Sequence, residues 1–356
     1  MDVLTFELYM RHLLFFMFLM PIVATAQVPA SQVFSFQDLP VSVISAALSG
    51  TQISQSRGDV AQLADNPAFL DSSMHQNASL SYLNYVSTIN QATLAYGHMD
   101  SIGFISGYLR YFDYGTFIER DASGVELGKF KVADYELGVS LTRPYNDRIS
   151  YGVTFKNLFS AVQRTHAYGL GFDFGGYYVS KDQNFRAGVT LDNVGLQLID
   201  YTGTNVQSLP VSLNMGIAKK FDKAPLILGF QYSDLQRWDL AATDLNAQQD
   251  VKVDQLTGEV TRPKFTMDNF LRHLNASVSF VPSEKFSLMA GYSFRRRLEL
   301  ASPTRPALVG FSFGANIKVK RFSLMYAITS YHINGTSNHL GITTNLNEWY
   351  SSRTKS

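Results

Sequence analysis

Apolar side chains alternate with small or polar ones along many short stretches of this sequence. From Lys285 to Arg295, five apolar residues occupy every second position, namely Phe286, Leu288, Ala290, Tyr292 and Phe294. Such alternation predicts β-strands that have one apolar face. The opposite faces carry Gly, Ser, Asn and Thr rather than the Lys and Glu of a water-exposed sheet. This composition favours the crowded lumen of a membrane barrel over a soluble sandwich.

The pattern predicts about 14 strands, and therefore an all-β fold, a transmembrane antiparallel β-barrel over residues 78–346. The predicted strands are 78–86, 91–97, 101–111, 130–142, 148–157, 166–179, 184–198, 210–221, 225–234, 271–281, 285–295, 307–319, 322–331 and 338–344. Short connections alternate with longer ones, which are 112–129, 158–165, 199–209, 235–270, 296–306 and 332–337. Because outer-membrane barrels keep their longer loops outside the cell, we expect these connections to face outward. Residues 347–356 are expected to form a C-terminal tail.

The N-terminus predicts a secretion signal over residues 1–26. An apolar run of about a dozen residues follows Arg11, and Ala26 ends a site of the small-x-small type that signal peptidases cleave. The run is shorter than the roughly 20 residues that a membrane-spanning helix needs. Met10 is an alternative start. A signal followed by a barrel predicts the outer membrane as the location.

Composition excludes several functional classes. The chain has 30 Lys and Arg against 29 Asp and Glu, so no net charge attracts nucleic acid. Cysteine is absent, which excludes disulfides and thiolate chemistry. The seven His residues show no metal-binding spacing, and we expect no cofactor.

One motif resembles that of a serine hydrolase. Residues 310–314 match the pattern G-x-S-x-G, which exposes its serine on a sharp turn between a strand and a helix. Here the alternation continues through Ile317, which predicts that Ser312 lies within a strand and faces the lumen. We therefore expect a protein without enzymatic activity.

Residues 27–77 are too polar and irregular to span a membrane. Irregular backbone at membrane depth is buried in protein or lines a cavity, so we expect this segment to plug the lumen. A periplasmic position is the alternative. The residues that define the segment are Phe34, Phe36, Leu39, Pro40, Asp59, Asn66 and Pro67.

The order of these residues resembles the N-terminus of the PorQ family, outer-membrane barrels of the bacterial type IX secretion system. Further similarities are Leu209-Pro210, Arg272-His273 and the stretches 291–296 and 310–314. Ser49 departs from the family, which usually has a glycine there. The asparagine-proline motif is also similar to that of the FadL-type and PorV barrels.

The resemblance implies a non-catalytic barrel that anchors a PorZ-like surface partner. This partner belongs to the attachment complex with PorU and PorV, which processes secreted cargo and joins it to lipopolysaccharide. The alternative is a FadL-like channel for hydrophobic compounds. Such a channel needs an apolar pocket in the lumen and a gap in the barrel wall. The predicted inward faces carry mostly Gly, Ser, Thr and charged residues, which argues against that alternative.

Two polar clusters and one aromatic residue are further candidates for the site. The clusters consist of Arg272 and His273, and of Arg295, Arg296, Arg297 and Glu299. Arginine binds phosphate through two parallel hydrogen bonds, so the second cluster could clamp lipopolysaccharide or an acidic partner. Salt bridges in the lumen or at the rim are the other interpretation. Trp238, in the longest loop, is of a residue type that anchors interfaces.

Overall fold

We analysed a computed structural model of the chain. It describes residues 33–203, 206–238, 240, 252–253, 260–261, 266–300, 308–332 and 335–350. The predicted signal, residues 351–356 of the tail and most of the loop 235–270 lie outside the described residues. In the described part of the chain, no helix combines the length and the apolar character needed to cross a membrane.

Fourteen antiparallel strands form one closed barrel, which confirms the predicted fold class. They are β1 Asn77–Val86, β2 Ile89–Asp100, β3 Gly103–Arg120, β4 Glu126–Pro144, β5 Ile149–Val162, β6 Thr165–Val179, β7 Phe185–Ile199, β8 Ser212–Lys220, β9 Leu226–Tyr232, β10 Leu274–Ser283, β11 Phe286–Ser293, β12 Phe311–Val319, β13 Phe322–His332 and β14 Gly335–Asn345. Each strand pairs with its neighbour in sequence. Pairing of β1 with β14 closes the barrel.

The other elements are short. The α-helices are α1 Val43–Ala47, α2 Met267–Arg272, α3 Phe294–Leu300 and α4 Asn347–Tyr350. Three 3-10 helices, Ser35–Asp38, Val60–Ala64 and Ser72–Met74, precede β1. Two-residue strands lie at Gln207–Ser208, Lys252–Val253 and Val260–Thr261.

The two faces of the wall follow the alternation in the sequence. In β5, Tyr151 and Phe155 are exposed on the outside, whereas Ser150 and Thr154 are buried on the inside. The other strands repeat this arrangement, with exposed residues such as Leu80, Leu94, Leu137, Val189, Ile217, Leu288, Phe313, Leu324 and Leu340. This apolar outer band is the surface that a barrel presents to lipid.

The connections differ between the two ends of the barrel. At the end where β1 begins and β14 ends, here called the terminus end, they are the short segments 101–102, 145–148, 180–184, 221–225, 284–285 and 320–321. At the opposite end, the loop end, the prediction of long loops was partly wrong. Strand β5 continues to Val162 and β6 starts at Thr165, and β13 continues to His332. Residues 112–129 are not a loop either, because β3 and β4 continue as a paired ribbon.

Residues 33–76, here called the lumen segment, lie inside the barrel. Their backbone contacts the inner wall on several sides. Thr142 Oγ1 of β4 donates a hydrogen bond to the Pro67 carbonyl at 2.5 Å. A Cβ atom added to Gly188 of β7 would lie 1.8 Å from the carbonyl oxygen of Ile53. Only glycine permits so close an approach.

Candidate functional site

The first part of the lumen segment is held by one arginine. Arg110, on the inner face of β3, has a side chain that is 1% exposed. Its Nη2 donates hydrogen bonds to the carbonyl oxygens of Phe36 at 2.6 Å and Leu39 at 2.7 Å. Its Nε donates to Gln91 at 2.9 Å, and its guanidinium lies 5.0 Å from the centre of the Phe36 ring. The motif residues around Phe36 are therefore fixed through their backbone.

A buried carboxylate balances this arginine. Glu136 of β4 lies 3.4 Å from Arg110 Nη1 and accepts a hydrogen bond from the Tyr108 hydroxyl at 2.6 Å. Removing one partner of such a pair would leave an uncompensated buried charge, at a cost of about 3–5 kcal/mol. The hydroxyl and the guanidinium together keep the carboxylate in place.

Asp59 and Asn66 hold the lumen segment in its own conformation. Asp59 accepts hydrogen bonds from Ser42 Oγ at 2.6 Å and from the Ala61 amide at 3.1 Å. Asn66 Nδ2 donates to the Ile53 carbonyl at 2.9 Å, and its Oδ1 accepts from the amide of Ala68 at the same distance. The structure thus places these two residues of the predicted plug motif within the lumen segment.

Two acidic side chains of the lumen segment, Asp59 and Asp65, are buried and form no ion pair among the described residues. Burial raises the pKa of Asp65 to about 7, although hydrogen bonds from Ser45 and the Gln52 amide partly oppose the rise. Burial also raises the pKa of Asp59, against hydrogen bonds from Ser42 and Ala61. Protonation therefore favours the packed lumen segment.

A packed cluster of apolar side chains, here called the apolar chamber, lies in the lumen towards the loop end. Six buried residues meet there. They are Phe34 and Phe36 of the lumen segment, Phe112 of β3, Leu158 of β5, Ala167 of β6, and Leu209 of the connection that precedes β8. Partly buried residues pack around them, including Tyr85, Tyr114 and Tyr201. Phe36 and Phe112 have their ring centres 6.1 Å apart, and Phe112 meets the Tyr114 ring edge-on at 4.8 Å. The chamber is filled by Phe34 and Phe36 of the lumen segment.

The expectation that the inward face carries mostly Gly, Ser, Thr and charged residues does not hold at this chamber. The predicted strands ended at residues 111 and 157, one position before Phe112 and Leu158. In the structure both strands continue, and these two residues lie on the inner face and are at most 3% exposed. Leu209, assigned to a loop, also points into the chamber. Alternation extended by one residue in each strand would have found two of the three.

A polar layer lies closer to the terminus end than the chamber. Lys156 Nζ lies 2.8 Å from Asp173 Oδ1, with both side chains almost completely buried. Asp173 also accepts a hydrogen bond from the Asn193 amide at 2.7 Å. Gln37 of the lumen segment donates to the Asn193 side chain at 3.2 Å. The lumen segment is thus tied to the wall on this side as well.

The wall is irregular between β7 and β8. Regular pairing of these strands ends at Asp192 and Ser212. Beyond that point Asn193 has a positive φ of 61°, and the next stretch of β7 pairs with Gln207–Ser208 instead. The Leu209 amide donates to the Gly195 carbonyl at 3.0 Å. A short connecting segment therefore completes the wall beside the chamber.

The predicted arginine clusters meet at the loop end in one ionic network. Arg295 binds Glu299 at 2.8 Å and Asp234 at 3.1 Å. Arg272 lies 2.7 Å from Asp268 and 3.9 Å from the same Glu299. The structure thus joins Arg272, Arg295 and Glu299, and places them among carboxylates at the barrel mouth.

Arg296 and Arg297 point elsewhere. Arg296 donates a hydrogen bond to the carbonyl oxygen of Ser49 and lies over the Tyr331 ring at 5.0 Å. Ser49 has a positive φ of 80°, a backbone conformation that favours glycine. Arg297 packs beside Gly310, where an added Cβ would lie 3.0 Å from the arginine Cβ.

His273 and Trp238 form an aromatic stack at the same mouth. His273 lies between Tyr232 and Trp238, with ring centres 4.9 Å and 5.6 Å away. Its Nδ1 lies 2.6 Å from the Ser233 carbonyl oxygen, and its Nε2 lies 3.2 Å from that of Trp238. Trp238 is therefore partly buried against the barrel. Its predicted role as a partner anchor stays a prediction.

Comparison with solved structures identifies the class of fold. The toluene transporter TodX of Pseudomonas putida is 16% identical, with a TM-score of 0.51 over 88% of this chain and 98% of that chain. A deltaS2 mutant of the TodX monoaromatic hydrocarbon channel gives the same identity and TM-score over 86% and 97%. A FadL homologue of Pseudomonas aeruginosa is 11% identical, covers 86% and 98%, and has a TM-score of 0.46. No protein-family model and no curated protein matches the chain.

This protein is an outer-membrane β-barrel with the 14-stranded fold of the TodX barrel. The TodX structures are those of a channel or transporter. The comparisons show the fold of this chain and not its function. They give no support that is specific to PorQ or to type IX secretion.

Proposed function

We propose that this protein admits apolar compounds through the outer membrane. The observation that carries the proposal is the apolar chamber, because the inner wall around it is otherwise mostly small and polar. A pocket lined by aromatic and aliphatic side chains is the usual receptor for a small apolar ligand. Since Phe34 and Phe36 occupy the chamber, a compound entering from the loop end has to displace them.

The irregular part of the wall, between β7 and β8, is where a lateral path out of the chamber would open. Leu209 belongs both to the chamber and to the segment that completes the wall beside Gly195. A movement of residues 207–211 would therefore connect the chamber with the surrounding membrane. The similarity in fold to a toluene transporter supports this route, although the likeness itself concerns the fold alone.

A second candidate is the surface anchor that the sequence resemblance implies. It is favoured by the tight attachment of the lumen segment, whose motif residues are tied to the wall by Arg110 and Thr142. A barrel that serves only as a scaffold has no need of an open path. Under this hypothesis the loop end would hold a surface protein such as PorZ.

A gene deletion in the native bacterium separates the two functions. The first measurement is growth on an apolar compound as the carbon source. The second is the fraction of secreted cargo that retains its C-terminal signal domain. Slower growth with normal cargo supports the channel. Normal growth with unprocessed cargo contradicts it and favours the anchor.

A further inference from the structure

The β3–β4 ribbon, residues 115–131, extends beyond the rest of the wall at the loop end. Its two strands stay paired up to Arg120 and Glu126. Strand β2 pairs with β3 only as far as Asp113. Strand β5 pairs with β4 only from Val132 downward. Both faces of the ribbon therefore project above the barrel.

The two faces of the ribbon differ in character. Phe117 and Phe130 stack at 5.6 Å on the face that continues the inner wall below. The face that continues the outer, lipid-facing wall carries Lys129 and Lys131, both exposed. The adjoining turn between β5 and β6 adds Arg164, which is also exposed.

In the described part of the chain, these three cations are not paired with acidic residues. Among the described residues, no carboxylate lies within ion-pair distance of any of them. Two acidic residues of the ribbon and its base are otherwise engaged. Glu126 pairs with Arg120 at 2.7 Å, and Asp113 accepts a hydrogen bond from the Gly115 amide at 2.8 Å.

An aromatic belt lies directly below this basic face. Tyr111 and Tyr135 have ring centres 5.1 Å apart, and Tyr135 and Phe159 are 6.1 Å apart. Phe159 in turn stacks on His166 at 6.1 Å. Outward-facing aromatic girdles mark the boundary between the hydrocarbon of the membrane and its headgroups. Along β4, Lys131 and Lys129 lie four and six residues beyond Tyr135, and Arg164 lies two residues before His166, so the basic face begins on the headgroup side of the belt.

We propose that Lys129, Lys131 and Arg164 bind phosphate groups on lipids of the outer leaflet. The basic face continues the lipid-facing surface, and its charge is complementary to phosphate. From the sequence, such a contact was one of two interpretations of the cluster Arg295, Arg296, Arg297 and Glu299, and salt bridges in the lumen or at the rim were the other. The structure instead places Arg295 in an ionic network and directs Arg296 at the lumen segment.

The test uses the full mature protein in detergent and compares three probes: lipid A with two phosphates, dephosphorylated lipid A and inorganic phosphate. Bound lipid is measured by native mass spectrometry. The variant Lys129→Gln, Lys131→Gln, Arg164→Gln should bind phosphorylated lipid A much more weakly, by about fivefold for each cation removed. The matched control Lys219→Gln, Lys220→Gln, Lys223→Gln removes exposed cations at the terminus end and should bind normally.

The three probes separate the results that support the proposal from those that overturn it. Preference of the native protein for phosphorylated over dephosphorylated lipid A, lost only in the first variant, supports the proposal. The proposal is overturned if the two triple variants bind phosphorylated lipid A equally well. It is also overturned if the native protein binds the phosphorylated and the dephosphorylated lipid A equally well. Saturable binding of inorganic phosphate that abolishes lipid binding would assign the site to the free anion and overturn the lipid assignment.

Discussion

Arg110 donates a 2.6 Å hydrogen bond to the carbonyl oxygen of Phe36, from a side chain that is 1% exposed. This contact joins the wall of the barrel to the residue that fills the apolar chamber. It makes the position of Phe36 depend on a charged group in the wall rather than on apolar packing alone. Movement of Phe36 out of the chamber therefore requires this hydrogen bond to break or to move with it.

Replacing Arg110 should loosen the lumen segment. Arg110→Met removes the hydrogen bonds to Phe36 and Leu39 and leaves Glu136 unpaired, which should destabilise the packed state by about 3–5 kcal/mol. Protease digestion of the folded barrel should then cleave within residues 33–41. Arg120→Met, which breaks an exposed pair, is the control and should change stability by less than about 1 kcal/mol. Equal protection in both variants would show that Arg110 does not hold the segment.

A methyl group at Gly188 should displace the lumen segment from β7. The added Cβ would lie 1.8 Å from the Ile53 carbonyl oxygen, which is backbone and cannot rotate away. Gly188→Ala should lower the thermal stability of the barrel and increase amide exchange around Ile53. Gly128→Ala has open space at its Cβ and serves as the control. Unchanged exchange in Gly188→Ala would contradict the close contact.

Packing of the lumen segment should depend on pH through Asp65. Its pKa is raised by burial from 3.8 to about 7, so the packed state binds a proton that the released state gives up. The stabilisation is therefore complete below about pH 4 and is lost as pH rises through 7. Between these two limits, the free energy that favours the packed state over the released state falls by an amount on the order of 4 kcal/mol.

Amide exchange of residues 42–66 at pH 5 and pH 8, corrected for intrinsic rates, measures this effect. The native protein should lose protection at pH 8, and Asp65→Asn should not. Asp121→Asn, at the exposed ribbon turn, should behave like the native protein. A native protein that is protected equally at both pH values would refute the role of Asp65.

We expect the loop end of the barrel to face the outside of the cell and the terminus end to face the periplasm. An epitope inserted after Gly124, in the exposed turn of the ribbon, should be reached by antibody on intact cells. A second epitope between Asp222 and Lys223, at the terminus end, should be reached only after the outer membrane is opened. The reverse result would invert the topology.

The alternating pattern predicted all 14 strands because it reports directly which face of each strand meets lipid. It did not predict strand ends, since Phe112 and Leu158 continue the alternation into stretches assigned to loops. The chamber was missed for this reason. The network of Arg272, Arg295 and Glu299 joins residues from two connections, and only the folded barrel brings these together. The motif order indicated which residues matter in the lumen segment, but not that Arg110 holds them.

The chamber itself is open to a direct experiment with two variants. Phe34→Ala with Phe36→Ala removes the two rings that fill it. Adding Ala167→Phe to this double variant places a new ring among the chamber residues and should close it again. The epitope after Gly124 measures the amount of each protein at the surface.

The most direct test of the proposed function is the rate at which intact cells take up the apolar dye N-phenyl-1-naphthylamine. The double variant should take up the dye severalfold faster than the native protein, and the refilled variant should return to the native rate. Permeability to a hydrophilic β-lactam should change much less, because the chamber wall stays apolar. Dye uptake that is the same in all variants and in cells without the protein would contradict a channel for apolar compounds.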